Sequence, residues 1–213
     1  MSEFVVYGVP GSPFTRSVCA AMEEKGEPYR MHAFGPGEMR EAKLHPFGRV
    51  PVVEHGDFRL YETQAILRYI DAVFPTPALQ PSEPKAIGRM NQIIGINDWY
   101  LFPQVARIIV FQRIVGPVIM GTTPDEAACA AAVPDAQRCL GELDRLLGDQ
   151  SFLAGDQLSL ADLQLAPQLA YLAATPEGAK IMAGTRLKAW LGRMEARPSM
   201  QATLPPERLR QAA

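Results

Sequence analysis

The N-terminal third of the chain alternates short apolar runs with a stretch of helical periodicity. Phe4 to Tyr7 and Tyr29 to His32 are apolar runs of strand length, and Thr15 to Lys25 between them has the spacing of a helix. Gly26 follows where a helix C-terminus favours a left-handed residue. The pattern predicts strand, helix, strand.

A hairpin and a second helix complete this unit. Val50 to Glu54 and Phe58 to Leu60 flank His55-Gly56-Asp57, which predicts two strands around a tight turn. Glu62 to Phe74 has apolar residues on one face and predicts an amphipathic helix. The whole order predicts a small α/β sheet unit of the thioredoxin kind.

A proline-rich stretch marks the end of this unit. Residues 75–86 contain Pro75, Pro77, Pro81 and Pro84, and each proline removes a backbone donor and restricts the residue before it. We therefore predict a first domain at residues 1–76, a linker at 77–86 and an all-helical domain at 87–213.

Helical periodicity dominates the remainder, without a strand pattern. The predicted helices cover residues 86–116, 124–148, a segment that starts after Ser159, and about 186–196. Ser159 to Asp162 resembles a capping box with Asp in place of Glu. Pro103 and Pro134 are expected to kink or subdivide the two long helices, and the last helix is expected to end before Pro198.

Composition and charge narrow the function classes. The 213 residues are 47% hydrophobic and 21% charged, as in an ordinary globular protein, and the net charge of −2 gives no electrostatic footprint for nucleic acid or an anionic membrane. No signal peptide and no apolar run near membrane length is expected, which indicates the cytoplasm. Cys19, Cys129 and Cys139 match neither a disulfide framework nor a metal site, so we expect reduced, packed thiols and no metal.

The first candidate for chemistry is Ser12, in the loop before the first helix. Unpaired N–H groups and the helix dipole favour negative charge there. In a thioredoxin-like unit this loop carries a Cys-x-x-Cys pair, and here Ser12 and Thr15 stand in those positions. A serine hydroxyl can donate a hydrogen bond to the sulfur of a bound thiol and so favour the thiolate. The alternative is that Ser12 is an ordinary N-cap; Thr15 has less claim because it falls inside the first helical turn.

Two further motifs can bind a short zwitterionic peptide. A cis bond at Val50-Pro51 would turn the backbone of Val50 outward to pair with such a peptide, while the alternative is a trans proline that opens an edge strand. The hydroxyl of Thr63 and the N–H groups beside it can bind a carboxylate, and Glu62 can pair with an ammonium. An ordinary helix cap is the alternative for this pair.

Taken together, these motifs make the chain resemble the cytosolic glutathione transferases over essentially its whole length. The serine loop, the segment His45 to Pro51, the pair Glu62-Thr63 and the stretch Gly155 to Asp162 occur in the order and spacing of that family. The resemblance implies an α/β thioredoxin-like N-terminal domain, an all-α C-terminal domain, glutathione as co-substrate on the first domain, and a homodimer.

The resemblance also assigns roles to residues. Ser12 is expected to contact the glutathione sulfur, as in the serine-type classes such as phi and theta. Pro51 is expected to be cis, with Val50 pairing its backbone with the cysteinyl part of glutathione. Glu62 and Thr63 are expected to hold the γ-glutamyl end.

The chain departs from the family pattern in the same region. His45, Arg49 and Thr63 stand where Asn, Gln and Ser are usual, and only the last change keeps the chemistry. Arg49 adds a fixed charge that can bind a glutathione carboxylate in bidentate fashion. The segment Phe34 to Lys43 is short, and Arg40 is our candidate ligand for the glycine carboxylate.

The second substrate implied by the resemblance is an apolar electrophile bound between the domains. The candidate residues of that hydrophobic site are Pro13, Phe14, Phe34 and Phe111. Phe111 belongs to an aromatic group with Trp99, Tyr100 and Phe102, whose helical spacing otherwise favours the core over a pocket.

The expected activity is conjugation of the glutathione thiolate to hydrophobic electrophiles, a detoxification chemistry. The alternatives are a glutathione-dependent peroxidase, dehalogenase or isomerase, and a non-catalytic carrier of glutathione or an apolar ligand. The intact set Ser12, Pro51, Glu62 and Thr63 argues against a bare scaffold. A redox enzyme of the glutaredoxin type is disfavoured because residues 10–16 contain no cysteine.

Overall fold

A four-stranded sheet forms the N-terminal part of the computed structural model, which describes residues 2–35 and 38–211. Its strands are β1 Phe4–Gly8, β2 Arg30–Ala33, β3 Val52–His55 and β4 Phe58–Tyr61. They lie in the order β2-β1-β3-β4, with β1 parallel to β2 and β3 antiparallel to both of its neighbours. This mixed sheet confirms the predicted thioredoxin-like unit.

Two helices bury one face of the sheet. Helix α1 (Pro13–Lys25) begins at the N-cap Ser12 and ends at Gly26, whose φ of 66° is the predicted left-handed conformation. Helix α3 (Thr63–Val73) places its buried apolar side chains in the same core as α1 and the sheet. The single turn α2 (Glu38–Glu41) was not predicted, because its four residues have no buried side chain and hence no apolar pattern. Residues 36 and 37, in the short segment before it, lie outside the described residues.

A buried ion pair ties the proline-rich stretch to the first unit. Lys25 Nζ lies 2.6 Å from Asp71 Oδ1 and also donates to the carbonyl of Pro77. The Asp71 carboxylate accepts the N–H of Leu79 and the side-chain amide of Gln80 as well. Because a buried charge is tolerated only when it is paired and hydrogen-bonded, these contacts fix where the chain leaves α3.

The first long helical segment is longer and less regular than predicted. It runs from Pro84 to Met120 as α4 (Pro84–Ile96), the π-helical segment Asn97–Ala106, α5 (Arg107–Val110) and the π-helical segment Phe111–Met120. Each π-helical segment contains a proline, Pro103 or Pro117, which lacks the N–H that an α-helix requires.

The same segment corrects the expectation that no apolar stretch approaches membrane length. By length and composition alone, Pro84–Met120 meets the requirements for a membrane-spanning helix, and a third of its most apolar window is buried in the protein. Core helices of water-soluble proteins pass the same test, and this one packs on α6 and α7.

The remaining helices complete the all-helical part. They are α6 Glu126–Leu147, α7 Leu160–Ala173, α8 Pro176–Met182, α9 Arg186–Glu195, α10 Pro198–Ala202 and α11 Glu207–Gln211. Pro134 does not subdivide α6, and Ala130, whose carbonyl it leaves without an N–H donor, is exposed to solvent. The helix predicted at about 186–196 is α9, which ends before Pro198 as predicted. It is not the last helix, because Pro198 opens α10.

The predicted capping box at the start of α7 is present and fully buried. The carboxylate of Asp162 accepts both the N–H and the O–H of Ser159, at 2.9 and 2.6 Å. It also accepts the N–H of Leu153 and the indole N–H of Trp190. Burial raises the pKa of Asp162, and these four donors oppose the rise. One carboxylate thus joins α7, α9 and the loop between α6 and α7.

We expect Asp162→Asn to lower the free energy of unfolding by about 3 kcal/mol or more, because an amide nitrogen cannot accept the bonds that one carboxylate oxygen accepts. Urea unfolding measures this loss. The matched control is Asp156→Asn on the exposed surface of the same loop, which should change stability by less than about 0.5 kcal/mol. Equal losses in the two variants would contradict the assignment.

Candidate functional site

The loop from β1 to α1 presents one hydroxyl at a helix N-terminus. The N–H of Ser12 donates to the carbonyl of Val9 at 2.9 Å, which closes the turn. Ser12 Oγ is half-buried and accepts the N–H of Thr15 over a long 3.4 Å. Within the part of the chain that the structure describes, its O–H has no acceptor. Ser12 is therefore the N-cap of α1, as the alternative held, and its hydroxyl hydrogen is still free to donate.

Thr15 is turned away from this loop. It is 3% exposed, and a Cβ at Gly8 would lie 2.3 Å from its Cγ2 atom, so the residue fills the space that the glycine leaves. Its hydroxyl is buried and has no hydrogen-bond partner among the described residues. Of the two predicted hydroxyls, only that of Ser12 reaches the surface of the loop.

The segment before β3 offers free backbone groups. The Val50-Pro51 peptide bond is cis, as the resemblance implied. Val50 is half-exposed and precedes the first residue of β3, Val52. Across residues 2–35 and 38–211, neither its N–H nor its carbonyl makes a hydrogen bond. An extended peptide can therefore pair with Val50 as an additional strand would.

Glu62 adopts an uncommon backbone conformation beside this segment. Its φ is 72° and its ψ is 113°, a combination that costs an L-residue about 1 to 3 kcal/mol. Its carboxylate is exposed and makes no cap bond to α3. Thr63 follows as the first residue of α3 and is nearly buried. Conformations of this kind concentrate at functional sites, where the surrounding structure holds them in place.

His45, one of the departures from the family pattern, lies close to Glu62. Its ring packs on Tyr61 at 4.6 Å, its Nδ1 accepts the N–H of Phe47, and its Nε2 lies 3.8 Å from Glu62 Oε1. Burial lowers the pKa of His45, and Arg49 acts in the same direction against Glu62. A neutral imidazole leaves the Glu62 carboxylate free to pair with a cation.

Asp98 is a site-proximal residue that the sequence patterns did not indicate. Its Oδ1 accepts the side-chain amides of Asn97 at 3.0 Å and Gln164 at 2.7 Å. Burial raises the pKa of Asp98, and the nearby Glu62 carboxylate adds to the rise. The helical part therefore places a second carboxylate near Glu62. The helical spacing of residues 97–106 gave no signal for it, because its partners lie on α7 and at the start of α3.

The two candidate arginines lie at the surface of the same loop region. Arg40 in α2 is exposed, and its Cγ lies 3.6 Å from the position of a Cβ at Gly48. Arg49 is exposed as well, and neither guanidinium forms an ion pair with the residues that the structure describes. Both can reach an anionic group from solvent.

The apolar candidates fall into two separate groups. Phe14 meets Phe102 edge to face at 4.6 Å, across the boundary between the α1 loop and the long helical segment. Pro13 beside it is half-buried, and Phe111 is 37% exposed. Phe34 is buried and stacks on Tyr7 at 6.1 Å, on the strands.

The structure also shows whether three other side chains from the sequence analysis are buried or exposed. Trp99 is 75% exposed and Tyr100 54%, so the expectation that these aromatics lie in the core was wrong. They face outward because the buried positions of this segment, Ile94, Asn97, Leu101 and Val105, recur every three or four residues and leave Trp99 and Tyr100 on the opposite face. Cys19 is packed as predicted, and burial raises the pKa of its thiol to about 11.

Two surface cavities lie away from this constellation. One of about 700 Å³ separates α6 from α8, and one of about 300 Å³ lies beside Phe4 and Tyr29. None of the site residues described above lines either cavity.

Comparisons with known proteins agree along most of the chain. Family models described as "Glutathione S-transferase, N-terminal domain" and "Glutathione S-transferase, C-terminal domain" match residues 6–78 and 126–193. Glutathione S-transferase 3 of Zea mays is 30% identical over 96% of this chain and 94% of its own. Glutathione S-transferase F6 of Arabidopsis thaliana is 29% identical over 96% of this chain and its full length. A solved structure of glutathione S-transferase-I bound with lactoylglutathione is 26% identical, with a TM-score of 0.83 over 95% of this chain and 98% of that one.

We expect the free energy of unfolding of Glu62→Gly to exceed that of Glu62→Ala by about 1 kcal/mol. Both variants lack the carboxylate, and only glycine adopts a φ of 72° without cost. Urea unfolding of the two variants measures the difference. An alanine variant as stable as the glycine variant would show that Glu62 is not held in a strained conformation.

Proposed function

Because the chain belongs to the glutathione S-transferase family and is a glutathione transferase, we propose that Ser12 is the residue that activates the glutathione sulfur. The observation that carries the proposal is the Ser12 hydroxyl at the N-terminus of α1, half-buried and with its hydrogen unused. The burial of the Thr15 hydroxyl supports Ser12 over Thr15 for this role.

Glutathione lies, in this proposal, along the cis-proline segment. The free N–H and carbonyl of Val50 pair with the cysteinyl residue, which brings its sulfur toward the α1 loop. The ammonium of the γ-glutamyl group pairs with Glu62. The carboxylate of the same γ-glutamyl group binds to Thr63 and the N-terminus of α3. Arg49 and Arg40 supply the charges for the glycine carboxylate at the other end. The solved relative that holds lactoylglutathione supports a ligand of this chemistry.

The energetics of this arrangement are sufficient for thiol activation. Lowering the thiol pKa by two units takes about 2.7 kcal/mol. A hydrogen bond to an anion contributes about 1.5 to 3 kcal/mol, and the N-terminus of α1 adds about 0.3 to 1 kcal/mol. The thiol proton leaves to water, and the thiolate forms the new sulfur–carbon bond while the leaving group departs with its electron pair. Ser12 remains unmodified throughout, because it acts only as a hydrogen-bond donor.

The electrophile occupies, in this proposal, the boundary between the two halves of the chain. Phe14 and Phe102 meet there, and Pro13 and Phe111 extend the apolar surface. Such a surface favours hydrophobic electrophiles, since each buried CH₂ group contributes about 0.8 kcal/mol. Phe34 stays a prediction for this site, with its ring on the strands.

Exposed aromatic residues support a homodimer. Phe47 is 73% exposed and Trp99 75% exposed, and most of the apolar window in Pro84–Met120 is unburied within one chain. Large exposed apolar side chains of this kind mark interaction surfaces.

We place the enzyme in the cytoplasm, where the free buried thiols of Cys19, Cys129 and Cys139 stay reduced.

We expect Ser12→Ala to raise the pKa of the bound glutathione thiol by about 1 to 2 units, with a tenfold or larger loss of kcat/KM near pH 6.5. The loss shrinks above the thiol pKa, because the thiolate then forms without help. Ultraviolet absorbance of the thiolate against pH and turnover of an aryl halide measure the two effects. Thr15→Val is the matched control and should leave both unchanged; an unchanged thiol pKa in Ser12→Ala would refute the assigned role.

We expect the wild-type chain to have the molar mass of a dimer in light scattering at micromolar concentration. Trp99→Lys should shift the population toward monomer, because a charge buried in an apolar interface is unpaired. Leu204→Lys, at a residue 42% exposed outside that helical segment, is the control and should leave the dimer intact. A monomeric wild type would contradict the proposed assembly.

A further inference from the structure

One hydrogen bond joins the helical domain directly to the loop that carries Ser12. The hydroxyl of Tyr171, on α7, donates to the carbonyl of Gly11 at 2.8 Å. Gly11 immediately precedes Ser12, whereas Tyr171 lies 160 residues further along the chain. Tyr171 itself is buried among the apolar residues of the helical core.

The bond fixes one end of a peptide plane whose other end is already fixed. The carbonyl of Gly11 and the N–H of Ser12 belong to the same planar peptide unit. Tyr171 holds the oxygen of that unit, and the carbonyl of Val9 holds its N–H at 2.9 Å. Two bonds at opposite ends fix the orientation of the plane, and with it the backbone from which the Ser12 side chain projects.

Gly11 makes this restraint necessary. Its φ is 92°, in a region that glycine enters freely and other residues rarely adopt, so its own torsional preferences leave the loop loose. The space beside it is filled from the C-terminal segment, where Leu209 Cδ1 lies 2.4 Å and Pro206 Cδ 3.4 Å from the position of a Cβ. Tyr171, Leu209 and Pro206 therefore enclose Gly11, and all three belong to the helical half of the chain.

The donor persists across the working pH range. Burial raises the pKa of Tyr171 to about 12, although the nearby Arg16 acts in the opposite direction. The hydroxyl thus keeps its hydrogen at every pH at which a glutathione thiol titrates.

We propose that Tyr171 is a positioning residue for catalysis: through the carbonyl of Gly11 it holds the Ser12 hydroxyl in the direction of the glutathione sulfur. The inference rests on the proposed role of Ser12 and deepens it, because it makes activation of the thiol depend on contact between the two domains. Tyr171 contacts neither substrate in this account.

The test is Tyr171→Phe, which keeps the buried ring and removes only the hydroxyl. The bound glutathione thiol should rise in pKa by about 0.5 to 1 unit, and kcat/KM near pH 6.5 should fall about three- to tenfold. Activity should recover above the thiol pKa, and the KM for glutathione should stay within twofold. A merely structural role would lower the melting temperature without moving the pH profile.

Tyr69→Phe is the matched control. The hydroxyl of Tyr69 also makes one side-chain hydrogen bond, at 3.0 Å to His55 on the sheet, away from the α1 loop. Removal of the Tyr69 hydroxyl should lower the free energy of unfolding about as much as removal of the Tyr171 hydroxyl, and the thiol pKa should stay at the wild-type value. A second variant, Leu209→Ala, opens the other side of Gly11 and should shift the thiol pKa in the same direction as Tyr171→Phe.

The double variant Ser12→Ala/Tyr171→Phe separates the two proposals. If Tyr171 acts through Ser12, the double variant has the thiol pKa of Ser12→Ala alone. Additive shifts, or a shift in Ser12→Ala with none in Tyr171→Phe and Leu209→Ala, overturn the positioning role and leave Ser12 in place. No shift in Ser12→Ala overturns the role of Ser12 and, with it, that of Tyr171.

Discussion

The burial of helix α7 is the constraint on which the rest of the structure depends. Thirteen of its 14 residues are buried, so the helix has no solvent face and cannot shift without opening the core around it. It packs against α1, the helix that carries Ser12 at its start. Its first turn is held by the buried Asp162 carboxylate, which four donors surround. The position of the α1 loop is therefore set by the helical core as much as by the sheet.

The polar residues of α7 extend this constraint to the site. Gln164 donates to Asp98 near Glu62, and Tyr171 donates to Gly11 beside Ser12. Both bonds start from a helix that is otherwise embedded in apolar contacts, so they hold their targets in one place. The two halves of the proposed glutathione site, at the α1 loop and at the start of α3, are thus tied to the same helix. Under the proposed function, the all-helical domain therefore takes a direct part in thiol activation, beyond the apolar surface proposed for the electrophile.

Sequence patterns were informative where structure is local. The strands, the left-handed Gly26 and the capping box at Ser159 were predicted because each depends on neighbouring residues and on one periodicity. The outward-facing Trp99 was missed because aromatic side chains were expected in the core, whereas the buried positions Asn97 and Leu101 on either side of it define the opposite face of the helix. The short helices α8, α10 and α11 have too few residues to show a periodic apolar face.

The candidate site likewise contains residues with a local sequence signal and residues defined only by long-range contacts. Ser12, Pro51, Glu62 and Thr63 could be named from the sequence because they lie at strand and helix starts, where the chemistry of an end is readable. Asp98 and Tyr171 could not, since their significance lies in contacts with residues 36 to 160 positions away. Nor does a sequence show that Glu62 has a positive φ, because glutamate carries no preference for that conformation.

The central claim is that glutathione lies along Val50 with its sulfur at Ser12, and a crystal structure of the protein with glutathione bound tests it most directly. The account predicts the sulfur within hydrogen-bonding distance of Ser12 Oγ, the cysteinyl backbone paired with the N–H and carbonyl of Val50, and the γ-glutamyl ammonium at Glu62. A sulfur that contacts another side chain, or a glutathione backbone that leaves Val50 unpaired, would contradict it.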